Sequence, residues 1–139
     1  MNRVVRLSLS LEKSLYDKLE QLVQHEGYSN RSEFVRDMIR RQLVEREWQE
    51  SEREVIATVT LVYDHHKSLL SERLTDLQHQ HHSDVLATTH VHLDETMCAE
   101  MILVRGKPAT IRELTNQMAQ QKGVLHADYS MASTGKSLA

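Results

Sequence analysis

Two imidazoles and the chain's only thiol fall within nine residues, in Thr89-His90-Val91-His92-Leu93-Asp94-Glu95-Thr96-Met97-Cys98. If this stretch opens as a β-strand, alternation sets His90 and His92 on one face about 7 Å apart and turns Val91 and Leu93 the other way. One ion can bridge such a pair. Asp94-Glu95 has turn character, so a returning strand brings the Cys98 sulfur beside the two rings. Two imidazoles and a thiolate suit Zn, Cu, Co or Ni, whereas Mg and Ca take oxygen ligands. A fourth donor is missing from the three. Its nearest suppliers are His79, His81 and His82, in Gln78-His79-Gln80-His81-His82, and further back His65 and His66; seven of the nine histidines lie between positions 65 and 92. The ordinary alternative is a solvated H-x-H strand with a packed cysteine. The thiol and the histidine-rich run together favour metal over it.

These donors need elements to hold them. Residues 55–63, Val-Ile-Ala-Thr-Val-Thr-Leu-Val-Tyr, are rich in β-formers, and residues 67–78 carry Leu69, Leu70, Leu74 and Leu77 at helical spacing. Residues 85–93 and 97–104 read as two strands joined by a turn. Pro108 stands at a favoured first helical position, ahead of Ile111, Leu114 and Met118, and Gly123 closes that helix. A last strand runs over 124–131. The order βαββαβ is the ferredoxin-like split unit. Residues 133–139 are small and polar and read as a disordered tail.

The first 50 residues are built differently. Arg6-Leu7-Ser8-Leu9-Ser10-Leu11 alternates strictly, which predicts a short half-buried strand. Between 12 and 26 the stripe Leu15, Leu19, Leu22 and Val23 predicts a helix that Gly27 ends. Asn30-Arg31-Ser32-Glu33 is a capping box ahead of a second helix with Phe34, Val35, Met38, Ile39 and Leu43 on its apolar side. A lone strand followed by two helices has no partner for its backbone groups in its own chain, so it must pair with a second copy. The polar face of that ribbon, Arg6, Ser8 and Ser10, can enter a DNA major groove. Arg31 and Ser32, at the start of the second helix, can hold a backbone phosphate. Residues 51–54 form a short linker with neither Gly nor Pro, closer to a helix end than to a flexible tether.

At 139 residues the chain is one ordinary domain or two small ones, and no apolar run approaches the roughly 18 to 20 residues needed to span a bilayer. The start lacks a signal-peptide apolar block, and a single thiol ligand must stay reduced, so the expected compartment is the cytoplasm. A net charge of -3, with nine Lys/Arg against nine Asp/Glu in the first 50 residues, means that any DNA surface arises from local arrangement.

Both halves together resemble the nickel-responsive transcriptional regulator family, in which a ribbon-helix-helix domain precedes a metal-binding domain of ACT type. The resemblance is carried by the 6–11 alternation, Gly27-Tyr28-Ser29-Asn30-Arg31-Ser32-Glu33, Val62-Tyr63-Asp64-His65, Gln78-His79-Gln80-His81-His82-Ser83-Asp84, and His90-Val91-His92 followed by Cys98. It implies an α+β chain. Residues 1–50 would be an intertwined ribbon-helix-helix dimer, and residues 55–132 a ferredoxin-like, ACT-like domain that binds nickel and forms the tetramer. It further implies one Ni(II) per subunit, held in square-planar geometry by His90, His92, Cys98 and His79 of a neighbouring subunit, with Tyr63, Gln78 and Glu100 around them. The partners it implies are a palindromic DNA operator and a homotetramer built as a dimer of dimers, and the output is repression of nickel uptake genes. The family often has threonine where Ser8 and Ser10 stand here, so an operator sequence does not carry over. His65, His81 and His82 are candidates for additional weak metal sites. The rival reading is an ACT-domain regulator that answers another metal or a small molecule. A metalloenzyme would leave the DNA-binding half unexplained, and an antitoxin-like DNA binder would not need the histidine-bearing domain.

Overall fold

In residues 3–12 the single chain forms neither helix nor strand, so the strand expected over 6–11 has no ladder partner among the described residues, and Val5, Leu7 and Leu9 stand exposed. The structure is a computed structural model and describes residues 3–50, 52–67, 69–81 and 84–139. His82 and Ser51, the first linker residue, therefore lie outside the described residues. Two compact units divide the chain, one ending at Arg40 and the other running from Arg41.

In the first unit, α1 (Lys13–His25) buries Val23. It ends in a Schellman turn: the Gly27 N–H donates to Gln24 O at 3.1 Å and the Tyr28 N–H to Val23 O at 3.0 Å. Gly27 takes φ +74°, a conformation that glycine adopts without penalty. α2 (Arg31–Gln49) starts at the cap foreseen from sequence, with Asn30 Oδ1 accepting the Glu33 N–H at 2.9 Å. The other half of the box differs, because the Glu33 carboxylate accepts the Ser29 hydroxyl at 3.2 Å. Phe34 is buried edge-on against Tyr28, with centroids 5.4 Å apart.

The last residues of α2 pack within the second unit. Trp48 is buried and stacks on Tyr129 at 5.2 Å, and its Nε1–H donates to Ala132 O at 2.9 Å. Arg112 lies over the indole and donates to Trp48 O at 3.1 Å, which caps the end of the helix.

The remaining elements are β1 (Val55–Asp64), α3 (Leu70–Gln80), β2 (Val85–His92), β3 (Met97–Gly106), α4 (Pro108–Ala119) and β4 (Val124–Ala132). They realise the βαββαβ order as a four-stranded sheet, β2-β3-β1-β4, in which every neighbouring pair is antiparallel. The core lies on one sheet face: Val55, Ala57, Val59, Leu61 and Tyr63 of β1 alternate inward, Ile102 and Val104 join them from β3, and Leu70, Leu74, Ile111, Leu114 and Met118 descend from the helices.

Two boundaries depart from the periodicity. α3 begins at Leu70 and not at Lys67, because Leu69 takes φ +62° and cannot continue a right-handed helix. α4 ends at Ala119, ahead of Gly123. Gly123 serves a close approach instead: its φ is +102°, and a Cβ there would meet Leu70 Cδ2 and Lys67 Cγ at 2.8 Å. Residues 133–139 fold back in a turn, with Leu138 N–H donating to Gly135 O at 3.2 Å and the Ser137 hydroxyl reaching the buried Glu47 carboxylate. Among the described residues, no helix is long and apolar enough to cross a membrane.

Candidate metal centre and DNA-binding surface

The sheet register assembles the donors. Cys98 of β3 lies opposite Tyr63 on β1 and His92 on β2, and one row further Glu100 lies opposite Leu61 and His90. Directly opposed residues of an antiparallel pair share a face, so both histidines and the cysteine point to the helix side.

The connection that sets this register is held by Asp94. Its Oδ1 accepts the N–H groups of Thr96 and Met97, both at 2.8 Å, and the Thr96 hydroxyl at 3.1 Å. Those donors, the Met97 N–H first, hold the Asp94 carboxyl below the usual range.

Cys98 Sγ lies 3.3 Å from His92 Nδ1, and the His90 and His92 rings are 5.2 Å apart. Cys98 is fully buried, and burial first, then the charges of Asp94 and Glu100, push its thiol up.

Among the described residues, the group whose ligand atoms all lie within 4.8 Å of one another is His65, His92 and Cys98. His65 follows β1. Its N–H donates to Thr96 O at 2.9 Å, its Nε2 lies 2.5 Å from Glu95 O, and its ring meets that of His92 edge-on at 5.3 Å. His65 stood in the sequence only among the histidines in reserve, since its separation of 25 and 27 residues from His90 and His92 hides the contact that the strand end creates.

Behind the donors sits a polar layer. Glu100 is buried and accepts Gln78 Nε2–H at 3.2 Å and the Thr88 hydroxyl at 3.1 Å, while the Tyr63 ring lies 6.0 Å from that of His90. Burial first, then the Glu100 charge, raise the Tyr63 phenol above its ordinary range. On α3, Gln78 turns inward and the next residue, His79, sits on the exposed side, outside the group that one chain brings together. His81 faces Asp84, with Nδ1 and Oδ2 3.7 Å apart. A buried thiol with neighbouring imidazoles that reach the surface is the donor set of a borderline or soft cation, and Ni(II) fits it.

In the first unit, Arg6, Ser8 and Ser10 alternate along the exposed segment of residues 3–12, and Ser32 is exposed at the start of α2. Arg31 is engaged: its Nε donates to the Glu20 carboxylate, its Nη2 donates to the Tyr16 hydroxyl at 2.8 Å, and its guanidinium lies 5.2 Å from the centre of the Tyr16 ring. The four-residue spacing of Tyr16 and Glu20 was the available signal for this clamp.

Residues 56–132 match the family described as the NikR C terminal nickel binding domain, and residues 5–46 match the ribbon-helix-helix proteins of the copG family. Relatives named as nickel-responsive regulators include one from Nitratidesulfovibrio vulgaris, 42% identical over 99% of both chains, and one from Solibacter usitatus, 44% identical over 97% of both. The chain belongs to the nickel-responsive regulator family. Membership in that family covers both units, since the two matched segments fall one in the DNA-binding half and one in the metal-binding half. A solved structure of an uncharacterized protein from Thermotoga maritima shares the fold alone, with a TM-score of 0.52 and 18% identity over 57% of this chain and 98% of that one.

Proposed function

We propose that the chain is a cytoplasmic transcriptional regulator, not a catalyst, which binds palindromic operator DNA when Ni(II) is bound and represses nickel uptake genes. The observation that carries this reading is the Cys98 sulfur 3.3 Å from His92, with His90 alongside, in the segment that matches a nickel-binding domain. His90, His92 and Cys98 would hold one Ni(II) per subunit together with His79 of the partner subunit, and Tyr63, Gln78 and Glu100 would orient them. Bound there, Ni(II) would supply Lewis-acid bonds to donors of two chains. Residues 6–11 of two copies would pair as a ribbon, presenting Arg6, Ser8 and Ser10 to base edges while Arg31 and Ser32 hold phosphates. The exposed Leu7, Leu9, Leu15, Leu22, Met38 and Ile39 support this pairing, because a second copy would cover them. Two such dimers would make a homotetramer through their ACT-like domains.

The measurement is operator affinity with and without Ni(II). A ligand shifts an equilibrium only as far as it prefers one state, so nickel must tighten DNA binding and DNA must tighten nickel binding by the same factor. Equal affinity in both conditions removes the regulatory reading. The position of His65 favours a second reading of the fourth donor, supplied within the chain. Nickel affinity that falls in His65→Gln and holds in His79→Gln would move the assignment there.

A further inference from the structure

The proposed function uses the Arg31 guanidinium on phosphate, yet that guanidinium is occupied. Tyr16 and Glu20 stand one turn apart on α1 and converge on the start of α2, where Arg31 Nη2 donates to the Tyr16 hydroxyl at 2.8 Å and Nε donates to the Glu20 carboxylate. The guanidinium also rests on the Tyr16 ring at 5.2 Å. A carboxylate and a phosphodiester offer the arginine fork the same chemistry, two acceptor oxygens that share a negative charge. Both can bind it, but not through the same N–H groups at once.

We propose that Glu20 is an intramolecular competitor for the DNA backbone, one that holds Arg31 in the DNA-free protein and must be displaced by a phosphate. The inference rests on the reading of Arg31 as a backbone contact. Tyr16 plays a different part: its ring and hydroxyl carry no charge, so they can keep the arginine stem aligned while the anion on the fork is exchanged. Once displaced, Glu20 loses its ion-pair partner, and that loss is the cost a phosphate contact must meet. Phosphate contacts are alike at every DNA site, so Glu20 lowers affinity for all sequences equally. Its effect is to raise the threshold that base contacts from Arg6, Ser8 and Ser10 must exceed before the protein stays bound.

The pair is partly exposed, with side chains 56% and 34% accessible, so solvent screening keeps the effect modest. The test uses the full nickel-loaded chain and a random-sequence DNA duplex, titrated over a series of salt concentrations. Glu20→Gln is expected to tighten binding by about two- to five-fold. Arg31→Ala is expected to weaken it and to flatten the logarithmic salt slope by about one. Glu20→Gln added to Arg31→Ala should change nothing further. Binding by Glu20→Gln that is equal to or weaker than wild type overturns the competitor role. So does a gain that persists without Arg31, because Glu20 would then repel DNA on its own account. If Arg31→Ala matches wild type in both affinity and slope, Arg31 is no phosphate contact and the inference falls with it, while nickel-dependent operator binding still stands.

Discussion

In the proposed metal centre, Cys98 would set the proton balance. Only a thiolate ligates, yet burial and the charges of Asp94 and Glu100 push this thiol above its ordinary range. The metal-free protein therefore carries the proton at neutral pH, and metal capture through Cys98 would have to expel it. While the proton remains on, nickel affinity should rise about tenfold per pH unit for this one group. Nickel titrations at several pH values, with proton release followed in weak buffer, check this; an affinity that is flat from about pH 6 to 8, below the usual thiol range, refutes it. In the metal-free chain the same shift runs the other way. Stability present below the ordinary thiol pKa is lost as pH climbs through the raised folded value, because the unfolded chain ionises first. The two histidines and the thiol were legible from spacing alone, since a strand's period of two and one turn suffice to gather them. The polar layer was not, because the Gln78–Glu100 contact joins residues twenty-two positions apart on different elements.

Each strand and helix of the second unit could be read from its apolar period, and the start of α3 departs from that reading where the backbone leaves ordinary conformations. Leu69 at φ +62° delays α3, and nothing in a leucine-rich stripe announces a left-handed residue. Gly123 looked like a helix stop and proved to be a point of contact. Its conformation suits glycine, and a methyl group there would press on Leu70, which is fully buried under the sheet. Gly123→Ala should therefore destabilise the protein by about 1–3 kcal/mol through backbone strain alone, with the crowding of Leu70 adding to it. Denaturant unfolding measures the loss, and an unchanged midpoint would show that α3 yields freely. At the opposite end of the sheet, Trp48 and Arg112 hold the last turn of α2, an attachment the sequence showed only as polar residues after a tryptophan.

At the scale of the molecule, the first unit leaves a row of leucines without cover. Leu7 and Leu9 are 71% and 67% accessible in the single chain, on a segment whose backbone has no ladder within it. Apolar side chains in this state are stable only when another surface takes them up. Leu9→Asp should accordingly lower the solution mass by splitting the assembly at this ribbon and abolish operator binding; sedimentation or light scattering that returns the wild-type mass would show that the copies join elsewhere. Sequence alone pointed to a second copy, because a strand without a partner is a defect readable from order. The spacing of Tyr16 and Glu20 puts them on one helix face, but it did not reveal that Arg31 fills the gap between them, because the partner lies on another helix.

The edge position of β2 has a consequence for how the protein comes to be competent at all. His90 and His92 owe their place beside Cys98 to pairing of β2 with β3 in one alignment, His92 against Cys98 and His90 against Glu100. A slip of one residue would turn both imidazoles to the opposite face together and bring Val91 inward. Under the proposed ligand set, capacity to take up the ion would also proofread the fold: a chain that closes its sheet wrongly would have no such histidine pair to offer, and the ion would draw correctly paired chains out of the population by mass action.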